Sequence, residues 1–488
     1  MALWPFDNSL ARALADFYVP WQAATPREPR LVLFNDALAE QLGLPGRAAG
    51  EDALAGWLSG RDLVPGSEPI ALAYAGHQFG TFNPQLGDGR ALLLGEVIAP
   101  DGRRFDLQFK GSGATPFSRQ ADGKSTLAAA LREYLISEAM AALRVPTTRS
   151  LAVVATGEGI WREEPHPGAV LTRVAASHLR IGSFEWAAAH KGRAAVEQLA
   201  DYALERHYPE RMSAANRPLA LLEAVADAQA RLVARWMALG FVHGVMNTDN
   251  VTISGETIDY GPCAFLDGYS EAQVFSSIDH GGRYAYGQQP AVCRWNLYRL
   301  ASALIEAIAA VDQADTEAAR VMLEQWPARY EAYWLSEMRA KLGLLEPREG
   351  DLDLARELFS ALEGQQADFT QLFRALSGTL SAGYVHLEEH LTDRAVLREW
   401  HARWQQRLEQ EPRDPAERAA AMDAANPLYI PRNHLVDSAF ADAEAGDLAP
   451  FLTLLGAVVR PFEFREGLHR YTQGAPDGTP RHVTYCGT

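Results

Sequence analysis

Asn250 and Asp259 are residue types that share a hard divalent cation through side-chain oxygen. They lie in one stretch, Phe241 to Gly261. Groups suited to phosphate lie upstream and between. Gly87, Gly89 and Arg90 belong to Gln85-Leu-Gly-Asp-Gly-Arg-Ala91, a glycine-rich turn whose backbone N–H groups can come close to phosphate oxygens. Lys110 ends the run Phe105-Asp-Leu-Gln-Phe-Lys110. Asp122 and Gly123 sit in a further turn, Ala121 to Ser125, in reach of a nucleotide. Arg173 and Arg180 flank a small-residue turn and can clamp a phosphate. Together these residues suggest metal-assisted chemistry on a phosphate-bearing substrate. Taken singly, each has a plainer reading as a loop cap, an empty hairpin or a surface arginine.

The order of these groups follows the frame of a kinase active site. Protein kinases carry His-Arg-Asp, then Asn, then Asp-Phe-Gly; small-molecule kinases of the aminoglycoside type carry His-Gly-Asp in the first place. His243, Gly244, Asn250 and Asp259-Tyr260-Gly261 fit that frame, but Val245 stands where the catalytic base belongs. The metal-holding half of the site is present and the usual base is absent. In kinases a strand Lys pairs with a Glu on the following helix. The helix predicted here contains Glu133 and Glu138, and helix geometry leaves both open.

The elements that must position these groups are legible in outline. Leu221, Val225, Leu232, Trp236 and Leu239 recur at helical spacing, and Gly240 follows where a helix end favours a left-handed residue. Val251-Thr-Ile253 and Thr257-Ile258, joined by Ser254-Gly255, predict a small β-hairpin that would bring Asn250 and Asp259 together. Upstream, Ile70 to Tyr74 and Ala91 to Ile98 predict strands. Strict alternation from Phe105 to Lys110 puts Asp106, Gln108 and Lys110 on one face. Thr126 to Leu143 predicts an amphipathic helix, and Val170 to Arg173 a strand. Loops over Ser276 to Gln289, a helix over Ala291 to Val311, and a mostly helical, acidic region from about Thr316 to Glu417 follow. Asn426 to His434, with two prolines, interrupts the helices as a rigid connector near the site. Residues 1–65 carry Trp4, Phe6, Phe17, Tyr18 and Trp21 as packing anchors and a short helix over Asn35 to Leu42.

Composition bounds the rest. The chain has 488 residues, 48% hydrophobic and 22% charged, and a formal charge of −17. That is the make-up of a soluble globular protein larger than one core requires. So acidic a surface disfavours nucleic acid as partner. No apolar run is long enough for a membrane span, and the first residues do not have the pattern of a secretory signal. Cys263, Cys293 and Cys486 are the only cysteines, too few for a disulfide framework or zinc cluster, so a reducing cytoplasm is the expected location.

The full set of motifs resembles the selenoprotein O family, also called the YdiU family, of kinase-fold protein adenylyltransferases. The resemblance covers nearly the whole chain. It rests on Gly76-His-Gln-Phe-Gly80, Gln85 to Arg90, Leu107-Gln-Phe-Lys-Gly-Ser-Gly113, Thr115-Pro-Phe-Ser-Arg119, Arg132 to Glu138 and Leu171-Thr-Arg173. It continues through Arg180 to Glu185, His243 to Asn250, Asp259-Tyr-Gly-Pro262, and Asn426-Pro with Pro431-Arg-Asn-His434. It implies an α+β, protein-kinase-like two-lobed fold, with a small β-rich N-lobe (66–165), a larger helical C-lobe (166–315), an N-terminal extension (1–65) and a helical C-terminal extension (316–488).

The resemblance also implies an activity. ATP would bind in reversed orientation, AMP would pass to a Ser, Thr or Tyr hydroxyl of a protein, and pyrophosphate would leave. The base would be Asp249. Asn250 and Asp259 would hold Mg²⁺ or Mn²⁺. Lys110, oriented by Glu133, with Arg173 and Arg180, would hold the outer phosphates. Gly87, Gly89, Arg90, Asp122 and Gly123 would line the nucleotide. Some members carry selenocysteine third from the C-terminus; Cys486 occupies that place here, which implies a redox role and a disulfide with Cys263 or Cys293. Uridylyl transfer from UTP and redox-related protein acceptors also stay open. The alternatives are a γ-phosphate kinase, against which Val245 stands, and a non-catalytic nucleotide-binding scaffold.

Overall fold

In the computed structural model, residues 4–476, 478–480 and 482–485 are described; Cys486 lies outside them. The architecture is mixed, as expected. Twelve strands occur among the described residues: β1 (Tyr18–Pro20), β2 (Arg30–Phe34), β3 (Ile70–Leu72), β4 (Gly76–Gln78), β5 (Thr81–Asn83), β6 (Ala91–Ile98), β7 (Arg104–Lys110), β8 (Ser125–Thr126), β9 (Arg149–Trp161), β10 (Pro165–Ala175), β11 (Phe241–Val242) and β12 (Ala264–Phe265). Seven run in the order β1-β3-β6-β7-β10-β9-β2, and β8 pairs with β10 to complete an antiparallel sheet of eight.

The alternation read in β7 sets the site. Lys110 pairs in register with Ala91 of β6 and Leu171 of β10, and Arg173 pairs with Gln108. Lys110 and Arg173 are thus diagonal neighbours on one face. That face is buried: Asp106, Gln108 and Lys110 are all enclosed.

The helix over Leu127–Ala142 is capped by Thr126, whose side chain accepts from Ala129 N–H, a contact worth about 1 kcal/mol. One side packs on β9 and β10, and the C-terminal helices Asn433–Glu444 and Ala449–Val458 cover the other. The helix over Arg217–Leu239 buries Leu221, Val225, Leu232 and Trp236. It ends at Gly240 in the left-handed region, φ 71°, so the reading of its stripe and its stop holds. The helix over Gln289–Val311 and the long helix Asp315–Leu342 pack beside it. No helix of the described residues is long and apolar enough to cross a membrane.

Two local expectations need correction. Residues 251–258 do not form a β-hairpin. Ile181 N–H donates to Val251 O and Ile253 N–H to Leu179 O, whereas Thr257 exchanges backbone bonds with Pro146 and Thr148. The β-prone arms satisfy their backbone with distant segments rather than with each other. Trp21 is 41% exposed rather than packed, although Trp4 and Phe17 are buried. In the 426–434 connector Arg432 is fully buried and pairs with Asp368 and Asp267, and Asn433 Nδ2 donates to Phe265 O (3.0 Å), six residues after Asp259.

Candidate active site

Asp259 is the hub. Its Oδ1 accepts from Lys110 Nζ (2.8 Å) and Arg173 Nη2 (2.7 Å), and its Oδ2 from Arg180 Nη1 (3.2 Å). Its backbone sits at φ 64°, where a non-glycine residue is strained. His243 helps impose that turn, with Nε2 2.9 Å from Ile258 O. Arg132 clamps the other side by donating to the carbonyls of Gly261 and Cys263. Burial opposes the Asp259 charge, but Lys110, Arg173 and Arg180 outweigh it and hold the carboxyl well below its ordinary value.

Behind the hub lies Glu133, 2% exposed. Its Oε2 accepts from Lys110 Nζ (2.6 Å) and its Oε1 from Arg173 Nε (2.6 Å). Burial works against its charge too; Arg173 and Lys110 together keep it ionised below the usual range. Glu138, one turn on, serves a different purpose: it takes Arg149, Asn35 and the Ser150 N–H. The choice that helix geometry left open therefore falls on Glu133. Three cations share two carboxylates here, leaving a positive excess suited to phosphate.

Arg180 links the hub to the catalytic loop. It precedes the helix Ile181–His190, lies 4.8 Å over the Tyr74 ring, and donates through Nη1 to Asp249 O (2.7 Å). Asp249 is 9% exposed, and its Oδ1 has no hydrogen-bond partner among the described residues. Burial pushes this carboxyl up to about 6, with Arg180 pulling the other way. A carboxyl with that value is mostly ionised at neutral pH yet more basic than an ordinary carboxylate, as suits a general base. Gly76 makes room for it: a Cβ there would stand 2.8 Å from Asp249 Oδ1 and 2.9 Å from Leu86. Asn250 turns its amide to Val245 O (3.1 Å).

Tyr74, Gly87, Gly89, Arg90, Lys110, Asp122, Gly123, Arg173, Arg180, Asp249, Asn250 and Asp259 line one open cleft of about 280 Å³. All the nucleotide-lining, metal and base candidates thus meet there, with Glu133 directly behind. Asp122 lies at the edge, paired with Arg162.

Sequence reasoning missed several supports. Asp88, 1% exposed, accepts from Leu72 N–H (3.1 Å) and Gln108 Nε2 (3.2 Å), pinning the Gly87–Gly89 turn to the sheet. Burial raises its carboxyl to about 6 as well. Gln108 shares the polar face of β7 with Lys110, so the alternation carried a signal for it. Glu185 ties the catalytic loop down: Thr248 Oγ1 donates to it (2.5 Å), His77 Nδ1 lies 2.5 Å away, and His77 N–H donates to Thr248 Oγ1 (2.6 Å). Only its place in the Arg180–Glu185 motif hinted at this. Cys263 and Cys293 are buried free thiols, the first pushed up to about 11 by burial. Thr484 Oγ1 donates to Pro262 O (2.8 Å), just after the Asp259-Tyr-Gly motif.

Comparison with known proteins bears on this site. The family model described as protein adenylyltransferase SelO matches residues 3–459. A protein nucleotidyltransferase YdiU from Sphingopyxis alaskensis is 54% identical over 483 residues, covering 99% of both chains. One from Cereibacter sphaeroides (strain KD131) is 54% identical over 486 residues, again covering 99% of each. One from Rhizobium rhizogenes is 50% identical over 489 residues, 99% of this chain and 97% of the relative.

Proposed function

This chain belongs to the SelO family of protein adenylyltransferases and is an enzyme of the nucleotidyltransferase class; from that premise we propose that it transfers AMP from ATP to Ser, Thr or Tyr hydroxyls of proteins. In this reading the fold is kinase-like and two-lobed, with residues 66–165 and 166–315 as the lobes and 1–65 and 316–488 as extensions. ATP lies reversed in the cleft with its α-phosphate toward the acceptor.

The observation that carries this reading is the placement of Asp249. Val245 stands at the kinase base position, yet a buried carboxyl raised to about 6 opens onto the same cleft four residues later. Asp249 takes the proton of the acceptor hydroxyl. The hydroxyl oxygen forms a bond to the α-phosphorus, the bond from that phosphorus to the bridging oxygen breaks, and pyrophosphate leaves with the electron pair. Lys110, Arg173 and Arg180 hold the charge that gathers on the leaving group, within a site already arranged for it. Glu133 keeps Lys110 and Arg173 in place.

A divalent cation fits the donor set. Asn250 and Asp259 offer two hard oxygens, the number Mg²⁺ takes from protein when phosphates and water supply the rest. Such an ion, Mg²⁺ or Mn²⁺, would neutralise triphosphate charge. The Cys486 thiol is carried in this proposal as a redox-responsive group of the tail.

Intact-mass measurement of an acceptor protein incubated with ATP and Mg²⁺ tests the reading. An adduct of one AMP group, lost in Asp259→Ala, is expected. A phosphoryl adduct would restore the kinase reading, and ATP binding without any adduct would favour the scaffold.

A further inference from the structure

We infer that the surface formed by Arg283, Arg299 and Trp295 with the β4–β5 hairpin reads acidic side chains next to the acceptor hydroxyl. The inference rests on the transfer reading above, since it supplies that reaction with its acceptor.

In a chain of net charge −17, most arginines find carboxylates. Arg283 and Arg299 do not: among the described residues neither guanidinium has a carboxylate within ion-pairing distance, and neither Nε has a hydrogen-bond partner. Both instead stack on one ring, with Arg283 Cζ 4.7 Å and Arg299 Cζ 5.3 Å from the Trp295 centroid. Arg283 also hydrogen-bonds the Tyr284 side chain and lies 5.8 Å from its ring; stacking fixes a guanidinium's plane while its remaining outer N–H groups can serve a planar anion. His77 meets the Trp295 ring edge at 5.4 Å, and Phe82 lies 5.0 Å from His77. Phe79 and Phe82 at the hairpin tip are 38% and 40% exposed, large apolar groups beside the two cations.

The surface continues into the catalytic loop. Asn247, two residues before Asp249, accepts from Phe79 N–H (3.0 Å) and from Tyr284 Oη (2.5 Å). Asn296 Nδ2, next to Trp295, donates to Met246 O (2.9 Å). A polypeptide that presents its hydroxyl to Asp249 therefore runs over the hairpin and past these guanidiniums. Carboxylates are the complementary charge, and the exposed phenyl rings take the apolar parts of the same segment. A basic acceptor segment would meet the cations head-on.

The test uses two labelled peptides that share a Ser acceptor and differ only in flanking Glu or Gln. Fluorescence anisotropy on the full-length chain gives Kd without requiring turnover. Expected is about fivefold to tenfold tighter binding of the Glu peptide, the range of a half-buried ion pair. The preference should shrink in high salt and disappear in Arg283→Gln and Arg299→Gln, with ATP affinity unchanged in both. Equal Kd for the two peptides on the wild-type chain would overturn the inference, as would a preference that survives both substitutions. Transfer to the same peptides is read separately: the preference should appear in KM, with kcat unchanged. A charge preference in binding with no transfer to either peptide would leave the surface standing and reject the transfer reading. A preference confined to kcat would overturn the docking role.

Discussion

Replacing Asp249 with Asn should make the protein more stable while removing its activity. The carboxyl is displaced from its ordinary 3.8 to about 6 because burial penalises its charge. At about 1.4 kcal/mol per pH unit that displacement amounts to about 3 kcal/mol. The sign follows from linkage. Below pH 3.8 the group is protonated in both folded and unfolded chains and costs nothing. Between 3.8 and 6 the unfolded chain ionises and the folded one resists, so the penalty accumulates; above 6 it is complete. The Asn amide escapes it but must place an N–H₂ beside a position where Oδ1 has no partner, which takes back about 1 kcal/mol. Urea unfolding of both proteins at pH 8 and pH 5 is the assay. Asp249→Asn should be more stable by about 2 kcal/mol at pH 8, with the gap falling by about 1 kcal/mol at pH 5. Transfer should drop by about 10²–10⁴. An Asn variant less stable than wild type at pH 8, or a gap independent of pH, would refute the burial argument.

Other consequences follow from the same geometry. The wild-type kcat/KM should rise about tenfold per pH unit up to about 6 and then level, because the free enzyme's base must be ionised; a profile flat from pH 5 to 8 would remove Asp249 as base. Glu133→Gln strips the shared carboxylate from two buried cations and should cost about 3–5 kcal/mol in unfolding free energy, together with transfer; a near-neutral unfolding curve would contradict the paired arrangement. Gly76→Ala drives a methyl against Asp249 and should lower kcat by about 10–100-fold with ATP affinity intact, measured by calorimetry and initial rates. Cys263 and Cys293 should resist alkylation in the native chain and react only in urea, read by peptide mass, because burial suppresses the thiolate. Rapid native labelling of either would refute their enclosure.

What the sequence disclosed was local. The alternation in 105–110 and the stripe ending at Gly240 are each decided within a few residues, and the structure keeps them. The 251–258 hairpin failed because its β-branched residues had better partners in Leu179, Ile181, Pro146 and Thr148, which no local pattern reveals. Glu133 and Glu138 are both buried on one helix; only the opposing Lys110 and Arg173, or Arg149 and Asn35, tell them apart. Asp88 and Glu185 escaped notice for the same reason. Asp88 fastens its own turn to distant strands and Glu185 holds Thr248 from a distant helix, and a lone carboxylate in a sequence does not say what it faces. The cleft-lining residues were legible because they fall in short, ordered motifs that the fold brings together.

The most direct test of reversed nucleotide binding is label transfer to protein, with ATP labelled at the α-phosphate in one reaction and at the γ-phosphate in another, each with wild type and Asp249→Asn. Retained α label and released γ label with wild type, and neither with Asp249→Asn, is the expected result. Retained γ label would contradict it and send the search for a base elsewhere.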